Sequence, residues 1–315
     1  MPKIVYLLFV FGLLGCTKEV NIDIPGFQEM LVIDGSIETG MPPIIFISKS
    51  KDIYASTNLN AFLNGFQTGA IVTVNNGTSS VVLDEICADN LPPGTETIVA
   101  DLLGIPVSEL PNYHLCAYTT FNTSIWGEVG KTYALEVTFE GKTYTSSTKI
   151  ENPTNLNSVF WQTDKNYSDR GYSWANLSDN PSQYDAYKWE VKRLNTYGNS
   201  TPIDTKFTTT FNPVFDDEFM NGKTFNFFYE NPMTSSDDNI PSDYRGYFLL
   251  NDTVVIKLSK MERKVYEFME KKYVQMGTAG NPFATPTNVT TNITGGAIGV
   301  WAGYSPTYDT LICKP

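Results

Sequence analysis

The residues best suited to chemistry in this chain are two cysteines and its single histidine: Cys87, Cys116 and His114. Thiolates and imidazole are the usual ligands of zinc, but structural zinc takes four ligands, and neither the Cys-x-x-Cys nor the His-x-x-x-His spacing occurs here. A general-base role for His114 would need a nucleophile and an orienting carboxylate, and the local sequence marks neither. We therefore expect no metal, no cofactor and no catalytic residue.

The same two cysteines are candidates for a disulfide bond. The N-terminal features described below indicate the cell envelope, where thiols can be oxidised, and this favours a Cys87–Cys116 bridge. Cys16 is assigned to lipid, which leaves Cys313 as an odd thiol near the C-terminus. A pairing that includes Cys313 stays open, because connectivity cannot be read from a sequence.

Two acidic loops contain the oxygen ligands that calcium prefers. Residues 216–218 read Asp-Asp-Glu, and residues 237–239 read Asp-Asp-Asn. Neither loop has the twelve-residue spacing of a calcium-binding loop. We expect both to be solvated acidic turns.

Aromatic side chains make up 13% of the chain, and several cluster early in its second half among Ser, Asn and Asp residues. Aromatic rings with polar neighbours suit sugar rings or a protein partner. The alternative is that the rings pack the core and edges of a β domain. The candidates for ligand contact are Trp161, Tyr172, Trp174 and Tyr184.

The charge balance argues against nucleic acid as a partner. The chain has 22 Lys and Arg against 34 Asp and Glu, for a net charge of −12. Phosphate binding requires clustered basic side chains, which are absent. The apolar fraction of 41% is that of a globular protein. With one histidine and no clustered catalytic residues, we expect a protein that is not an enzyme.

The first residues predict a secretion signal with a lipid-attachment site. Lys3 is followed by an almost wholly apolar run over residues 4–14, which as a helix is about 16 Å long and too short to span a bilayer. Residues 13–16 read Leu-Leu-Gly-Cys and resemble a bacterial lipobox. We expect a signal peptide over residues 1–15, an acyl anchor such as palmitate on Cys16, and a tether over residues 16–27. Thr-Lys-Glu at 17–19 resembles a surface-export signal of Bacteroidota lipoproteins, the alternative being a solvated charged tether.

Short runs of β-branched and aromatic residues, separated by turn residues, predict a mainly β fold. An Asn-Gly turn near Gly77 and a Glu-Gly turn at residues 140–141 each predict a hairpin. We expect an N-terminal immunoglobulin-like or transthyretin-like β-sandwich over residues 28–150, with a Cys-flanked insertion at 84–120 that holds a short helix from Glu96 to Leu103. A polar, proline-containing stretch predicts a boundary before a second antiparallel β domain at residues 155–306.

One long helix is predicted over about residues 259–276 of the second domain. Ser259 and Glu262 match a capping box at its start. An apolar stripe at helical spacing predicts that the helix packs on a sheet, although a partner groove is an alternative. Glu267 and Lys271 are expected to form an ion pair, and Gly277 to end the helix. The stripe consists of Met261, Val265, Phe268, the Lys272 stem and Met276, with Met269 and Tyr273 beside it.

The last predicted strand has alternating faces around residue 301. Val300 and Ala302 face one side, while Gly299, Trp301 and Gly303 face the other. Glycines beside a tryptophan leave room for a large ring or for a neighbouring backbone.

The ordered set of these segments resembles Bacteroidota lipoproteins classed as domain of unknown function number 4249. The resemblance rests on Leu-Val-Ile-Asp-Gly at 31–35, Gly-Ala-Ile-Val-Thr-Val at 69–74, the hairpin over 133–147, the helix, Asn-Pro-Phe at 281–283 and the segment 292–305. It covers residues 28–306, and the insertion at 84–120 departs from it.

This resemblance implies a place among outer-membrane lipoproteins associated with TonB-dependent receptors, and it supplies no active-site residues. We expect a non-enzymatic accessory or ligand-capture partner of a TonB-dependent β-barrel, anchored in the outer membrane and facing outward. The alternative is a stand-alone surface lipoprotein that binds a glycan or another polymer. Possible ligands are a glycan or a small molecule.

Overall fold

The structure is a computed structural model that describes residues 28–50, 65–103, 106–195, 204, 206–235, 241–278 and 289–314. The expected signal peptide, Cys16, the tether and the loop at 237–239 lie outside these residues. The described residues form a mainly β fold, as the sequence predicts. Their strands are β1 (Leu31–Glu38), β2 (Ile44–Lys49), β3 (Ile71–Asn75), β4 (Ser80–Val82), β5 (Asp84–Cys87), β6 (Cys116–Thr119), β7 (Thr132–Phe139), β8 (Lys142–Lys149), β9 (Ser158–Thr163), β10 (Arg170–Ser178), β11 (Ala186–Arg193), β12 (Thr208–Asp216), β13 (Thr224–Tyr229), β14 (Phe248–Leu249), β15 (Thr253–Met261) and β16 (Ile298–Ile312).

Helices are few in the described part of the chain. They are α1 (Glu96–Leu103), α2 (Pro232–Ser235) and α3 (Arg263–Thr278). The bounds of α1 are those predicted from the sequence. No helix of the described residues is long and apolar enough to cross a bilayer.

One eight-stranded sheet runs through the molecule in the order β12-β11-β15-β16-β1-β2-β6-β5. It takes strands from both halves of the chain, and the two halves meet where β16 pairs in parallel with β1. The predicted boundary near residues 150–155 therefore does not separate two independent sets of sheets.

Two smaller sheets pack on one face of the long sheet. The sheet β4-β3-β7-β8 covers the end that contains β1 and β2, around Ile33, Val137 and Trp301. The sheet formed by β9, β10, β13 and β14 covers the other end, around Trp189 and Leu311. Trp301 and Leu311 are both odd-numbered residues of β16, so the two cores lie on the same side of the long sheet.

The predicted hairpins are confirmed. β3 pairs with β4 and β7 pairs with β8. The second hairpin turns through Glu140 and Gly141, both with positive φ, as a tight two-residue turn requires. Tyr133, Leu135 and Val137 face the core in alternation. Apolar alternation and turn residues indicate the same structure in this region, and both predicted hairpins are present.

The long helix packs on the opposite face of the long sheet, but it begins later than predicted. Ser259 and Met261 belong to β15, whose pairing with β11 and β16 overrides the local capping signal. Glu262 does not cap the helix through a box with Ser259. Its carboxylate instead accepts hydrogen bonds from the Thr148 hydroxyl (3.1 Å) and the Lys149 backbone (2.8 Å), which ties the start of α3 to β8.

The apolar stripe of α3 is confirmed as far as Tyr273, which packs against the same cluster as Val265 and Phe268. Val265, Phe268 and Met269 are buried against Val300 and Ala302 of β16.

Three predicted details of α3 are wrong. Met276 is largely exposed, so the stripe stops before it. Glu267 pairs with Arg263 rather than with Lys271. Gly277 lies within the helix, which runs to Thr278.

Candidate ligand-binding face

The outward side of the β9, β10, β13, β14 sheet carries a continuous cluster of aromatic rings. Residues alternate along β10, so Ala175 and Leu177 enter the core while Tyr172 and Trp174 point outward. Trp174 lies directly opposite Phe160 on β9 and Phe228 on β13. We call this cluster the aromatic face. It consists of Phe160, Tyr167, Tyr172, Trp174, Phe228 and Tyr247.

The rings of the aromatic face contact one another in a chain. The centroid of Trp174 lies 6.1 Å from that of Phe160 and 4.8 Å from that of Phe228. Tyr172 lies 5.2 Å from Phe228 and 5.0 Å from Tyr247. These separations are typical of interacting aromatic pairs. Because each ring holds its neighbours in place, the surface is ordered before any ligand arrives.

Arg170 fixes one end of the aromatic face. Its guanidinium lies 4.2 Å from the centre of the Tyr167 ring and 3.5 Å from that of Tyr244. Its Nε donates to Asp169 at 3.0 Å, and its Nη1 donates to the backbone oxygen of Asp243. The hydrogen bond from Arg170 holds the pKa of Asp169 below its ordinary value. These contacts anchor the loop before β14 to the sheet.

A row of amide and hydroxyl groups borders the aromatic face. The Asn176 amide donates to Asn226 Oδ1 at 2.5 Å, and the Asn157 amide donates to Asn176 Oδ1 at 2.6 Å and to the Ser178 hydroxyl at 2.8 Å. Ser178 also hydrogen-bonds Thr224 at 2.8 Å. Amides and hydroxyls retain donor and acceptor capacity beyond these bonds. The row therefore offers uncharged hydrogen-bonding groups beside the aromatic rings.

Tyr172 of the aromatic face is held in its neutral form. Burial, followed by its interaction with Tyr247, raises the pKa of Tyr172 well above its ordinary value. A neutral phenol both donates and accepts hydrogen bonds. Tyr172 therefore offers a ligand both a donor and an acceptor.

The four aromatic residues singled out from the sequence separate into three places. Tyr172 and Trp174 lie on the aromatic face. Trp161 does not, because it pairs with the inward-facing Ser173 and is only 7% exposed in the core. Tyr184 lies apart, half-buried beside α3, where its hydroxyl donates to Asp216 at 3.0 Å and the Arg263 guanidinium covers its ring at 4.7 Å.

Four rings of the face are not among the candidates drawn from the sequence: Phe160, Tyr167, Phe228 and Tyr247. Phe160 and Phe228 join it only through the register of β9 and β13 on β10. Alternation within β13 separates the inward Phe227 from the outward Phe228, but the sequence does not say which side faces the core.

The acidic loop at 216–218 is not the solvated turn that was expected. Asp217 is buried, and its carboxylate accepts the Asp185 backbone N–H at 2.9 Å. Burial, with nearby carboxylates, raises the pKa of Asp217. Asp217 therefore fixes the turn that follows β12 to the start of β11.

The structure joins Cys87 to Cys116 by a disulfide, the pairing that the sequence favoured. Cys313 is buried as a free thiol. Among the described residues, the only three His, Cys, Asp or Glu side chains whose ligand atoms lie within 4.8 Å of one another are Cys87, His114 and Cys116. His114 stands beside the disulfide with its ring bonded to Asp89.

Fold and site together define a mainly β protein with a preformed aromatic surface on its smaller outer sheet. The chain belongs to the family described as Domain of unknown function (DUF4249), whose model matches residues 17–309. This agrees with the resemblance drawn from the ordered segments. No curated protein matches the sequence.

Proposed function

We propose that this protein is a non-enzymatic binding protein whose aromatic face takes a glycan. The observation that carries the proposal is the six-ring cluster on one side of the β9, β10, β13, β14 sheet, bordered by the amide and hydroxyl row. Sugar rings present flat faces of C–H groups with hydroxyls at their edges. The C–H faces match aromatic rings, and the hydroxyls match Asn, Ser and Thr side chains.

The shape of the surface favours an extended ligand. Phe160, Trp174 and Phe228 lie on three adjacent strands, and strands are about 4.8 Å apart. Such a row runs across the sheet for about 10 Å. It suits several consecutive sugar units of a chain better than a single small molecule, which an enclosed pocket would hold.

The experiment that tests the proposal is glycan-array and affinity-electrophoresis binding of the wild type and of Trp174→Ala and Phe228→Ala. Each ring in contact with a sugar contributes about 1 kcal/mol or more, so each variant should lose at least about fivefold in affinity. The matched control is Phe219→Ala, which removes an aromatic ring that is 81% exposed on a loop away from the face. Equal loss in the control, or no binding of the wild type to any glycan, would contradict the proposal.

We further propose that the chain is a lipoprotein attached to the outer membrane through Cys16 and that it works beside a TonB-dependent β-barrel. The support is the Leu-Leu-Gly-Cys lipobox and the resemblance of the ordered segments to such lipoproteins. An anchor confines two proteins to one surface and raises their effective concentration. Pull-down of the tagged lipoprotein in mild detergent should recover a stoichiometric large β-barrel, and recovery of the lipoprotein alone would count against this partnership.

A further inference from the structure

The cluster around the disulfide has the arrangement of a metal site as well as that of a covalent bridge. Cys87 ends β5 and lies directly opposite Cys116, which begins β6. His114 Nε2 lies 3.8 Å from the sulfur of Cys116. On the other side of the ring, His114 Nδ1 lies 2.7 Å from Asp89 Oδ2. The two flanking residues follow one spacing, since Asp89 is two residues after Cys87 and His114 is two before Cys116.

The distances match those that a tetrahedral cation needs. Zinc binds thiolate sulfur at about 2.3 Å and imidazole nitrogen at about 2.0–2.1 Å, which places the two ligand atoms about 3.5 Å apart. The observed separation of Cys116 Sγ and His114 Nε2 is 3.8 Å, and both cysteine sulfurs and a histidine nitrogen lie within 4.8 Å. Once the disulfide is reduced, rotation of the Cys87 and Cys116 side chains would move the two sulfurs apart around an ion.

Asp89 supplies a carboxylate that orients His114, which the local sequence did not mark. Histidines that bind metals usually give their other ring N–H to a carboxylate, which fixes the tautomer and aims the free nitrogen at the ion. The Asp89–His114 contact has this form, and the nitrogen it leaves free points at Cys116. The His114 side chain is 66% exposed, so an ion can reach the cluster from solvent.

We propose that reduction of the Cys87–Cys116 disulfide by a thiol converts this cluster into a zinc-type metal site. Two thiol molecules donate two electrons and two protons to the bridge, giving two cysteine thiols and one external disulfide. A divalent cation then displaces the two thiol protons and binds Cys87, Cys116 and His114, with water in the fourth position. In the oxidised form the cluster offers no thiolate, and the site is closed to metal. The disulfide and the bound ion are therefore alternative cross-links between β5 and β6.

The test is titration of the full chain, purified in detergent, with Co²⁺ in the presence and absence of a phosphine reductant. Co²⁺ bound to thiolates absorbs in the near ultraviolet and visible range, so sulfur ligation is read directly. The reduced chain should bind one equivalent of Co²⁺ with thiolate absorption, and Zn²⁺ should displace it. The oxidised chain should show no such absorption.

Variants distinguish this site from adventitious binding. Cys87→Ser and His114→Ala should each weaken Co²⁺ binding at least about tenfold, and Asp89→Asn should weaken it about 10–100-fold through the lost support of His114. Cys16→Ser and Cys313→Ala are the matched controls and should bind as the wild type does. His114 and Asp89 are exposed enough to be replaced without loss of the fold.

Binding by the reduced wild type that His114→Ala leaves unchanged would overturn the proposal, as would equal binding by the oxidised chain. A reduced chain whose circular dichroism shows loss of the β fold would also overturn it, because the site depends on the β5–β6 pair.

Discussion

At the scale of single residues, glycines decide how closely the strands around β16 approach. The sequence predicts that Gly299 and Gly303 leave room for a neighbouring backbone, and both do so. A Cβ built on Gly299 would lie 2.0 Å from the Ile33 backbone oxygen, and one on Gly303 would lie 2.7 Å from that of Lys149. Gly299 also has a φ of +121°, a conformation that residues with side chains rarely adopt.

Replacement of Gly299 should therefore destabilise the protein more than replacement of Gly296. We expect Gly299→Ala to lower the free energy of unfolding by at least about 2 kcal/mol more than Gly296→Ala. Gly296 also has positive φ, but a Cβ there meets nothing within 4 Å, so it controls for backbone strain. Urea unfolding followed by tryptophan fluorescence measures both. Equal losses would show that the contact with Ile33 is not limiting.

The candidate site shows what single residues reveal in a sequence and what they do not. Tyr172 and Trp174 are candidates in the sequence because aromatic rings with polar neighbours suit sugar rings or a protein partner. Trp161 has the same local surroundings but faces the core. Which side of a strand is buried depends on its register with distant strands, and composition does not contain that information.

Cys313 provides a second test at the residue scale. Burial, with the nearby Asp252 carboxylate, raises the pKa of its thiol to about 12. Because the thiolate is the reactive form, Cys313 should not react with iodoacetamide at pH 8 in the folded protein and should react fully in urea. Peptide mass spectrometry measures the modified fraction. Rapid labelling under native conditions would mean that the C-terminal end of β16 opens easily.

At the scale of elements, the long sheet carries a buried ion-pair row on the face opposite the two cores. Lys257 Nζ lies 2.7 Å from Glu38 and 3.6 Å from Glu190, and Glu190 also pairs with Lys188 at 3.0 Å. The row joins β1, β11 and β15, elements far apart in sequence. Burial opposes the charged form of Glu190, but attraction to Lys188 and Lys257 outweighs it and lowers the pKa of Glu190.

Removal of the central cation should take the ammonium group away from Glu38 and leave Glu190 paired with Lys188 alone. We expect Lys257→Met to lower the free energy of unfolding by about 3–5 kcal/mol, the usual cost of breaking a buried pair on one side. Lys49→Met, which removes a lysine paired with the exposed Glu29, is the control and should change little. A similar effect of the two substitutions in urea unfolding would refute the buried row as a source of stability.

The same row gives the stability an acid dependence of known sign. Since the pKa of Glu190 is lower in the folded chain, its contribution is present above the ordinary glutamate value of 4.5 and is lost as pH falls through the lower folded value. The free energy of unfolding should decrease as the pH falls below about 4.5, and Glu190→Gln should show a smaller decrease. Urea titrations at several pH values measure this, and parallel curves for the two proteins would contradict it.

At this scale, the sequence predicts structure formed by neighbouring segments better than structure that depends on distant strands. Alternation and turn residues predicted the β3–β4 and β7–β8 hairpins, because their partners are adjacent in the chain. The start of α3 was wrong because Ser259 satisfies a local capping pattern while β15 continues through it to Met261. Pairing with two distant strands outweighs one cap.

At the scale of the whole molecule, the two halves of the chain complete each other. β16 comes from the C-terminal end but lies between β15 and β1 in the long sheet. Trp301 of β16 is fully buried in the N-terminal core, where its indole N–H donates to the Tyr133 backbone oxygen at 2.8 Å. The Gly303 N–H donates to the Thr148 hydroxyl at 2.8 Å. The polar stretch near residue 153 is therefore a connection within one sheet system, although its composition resembles that of a linker.

This arrangement predicts that neither half folds alone. A fragment of residues 16–153 lacks the parallel partner of β1 and the ring of Trp301, so its core keeps a large cavity and an unpaired strand edge. We expect the fragment to show poor dispersion in ¹H–¹⁵N spectra and no cooperative thermal transition, while mixing it with residues 154–315 restores both. A well-dispersed spectrum and a cooperative transition for residues 16–153 alone would show instead that the N-terminal sandwich is an independent domain. The contact between β1 and β16 would then be a docking interface between two folded units.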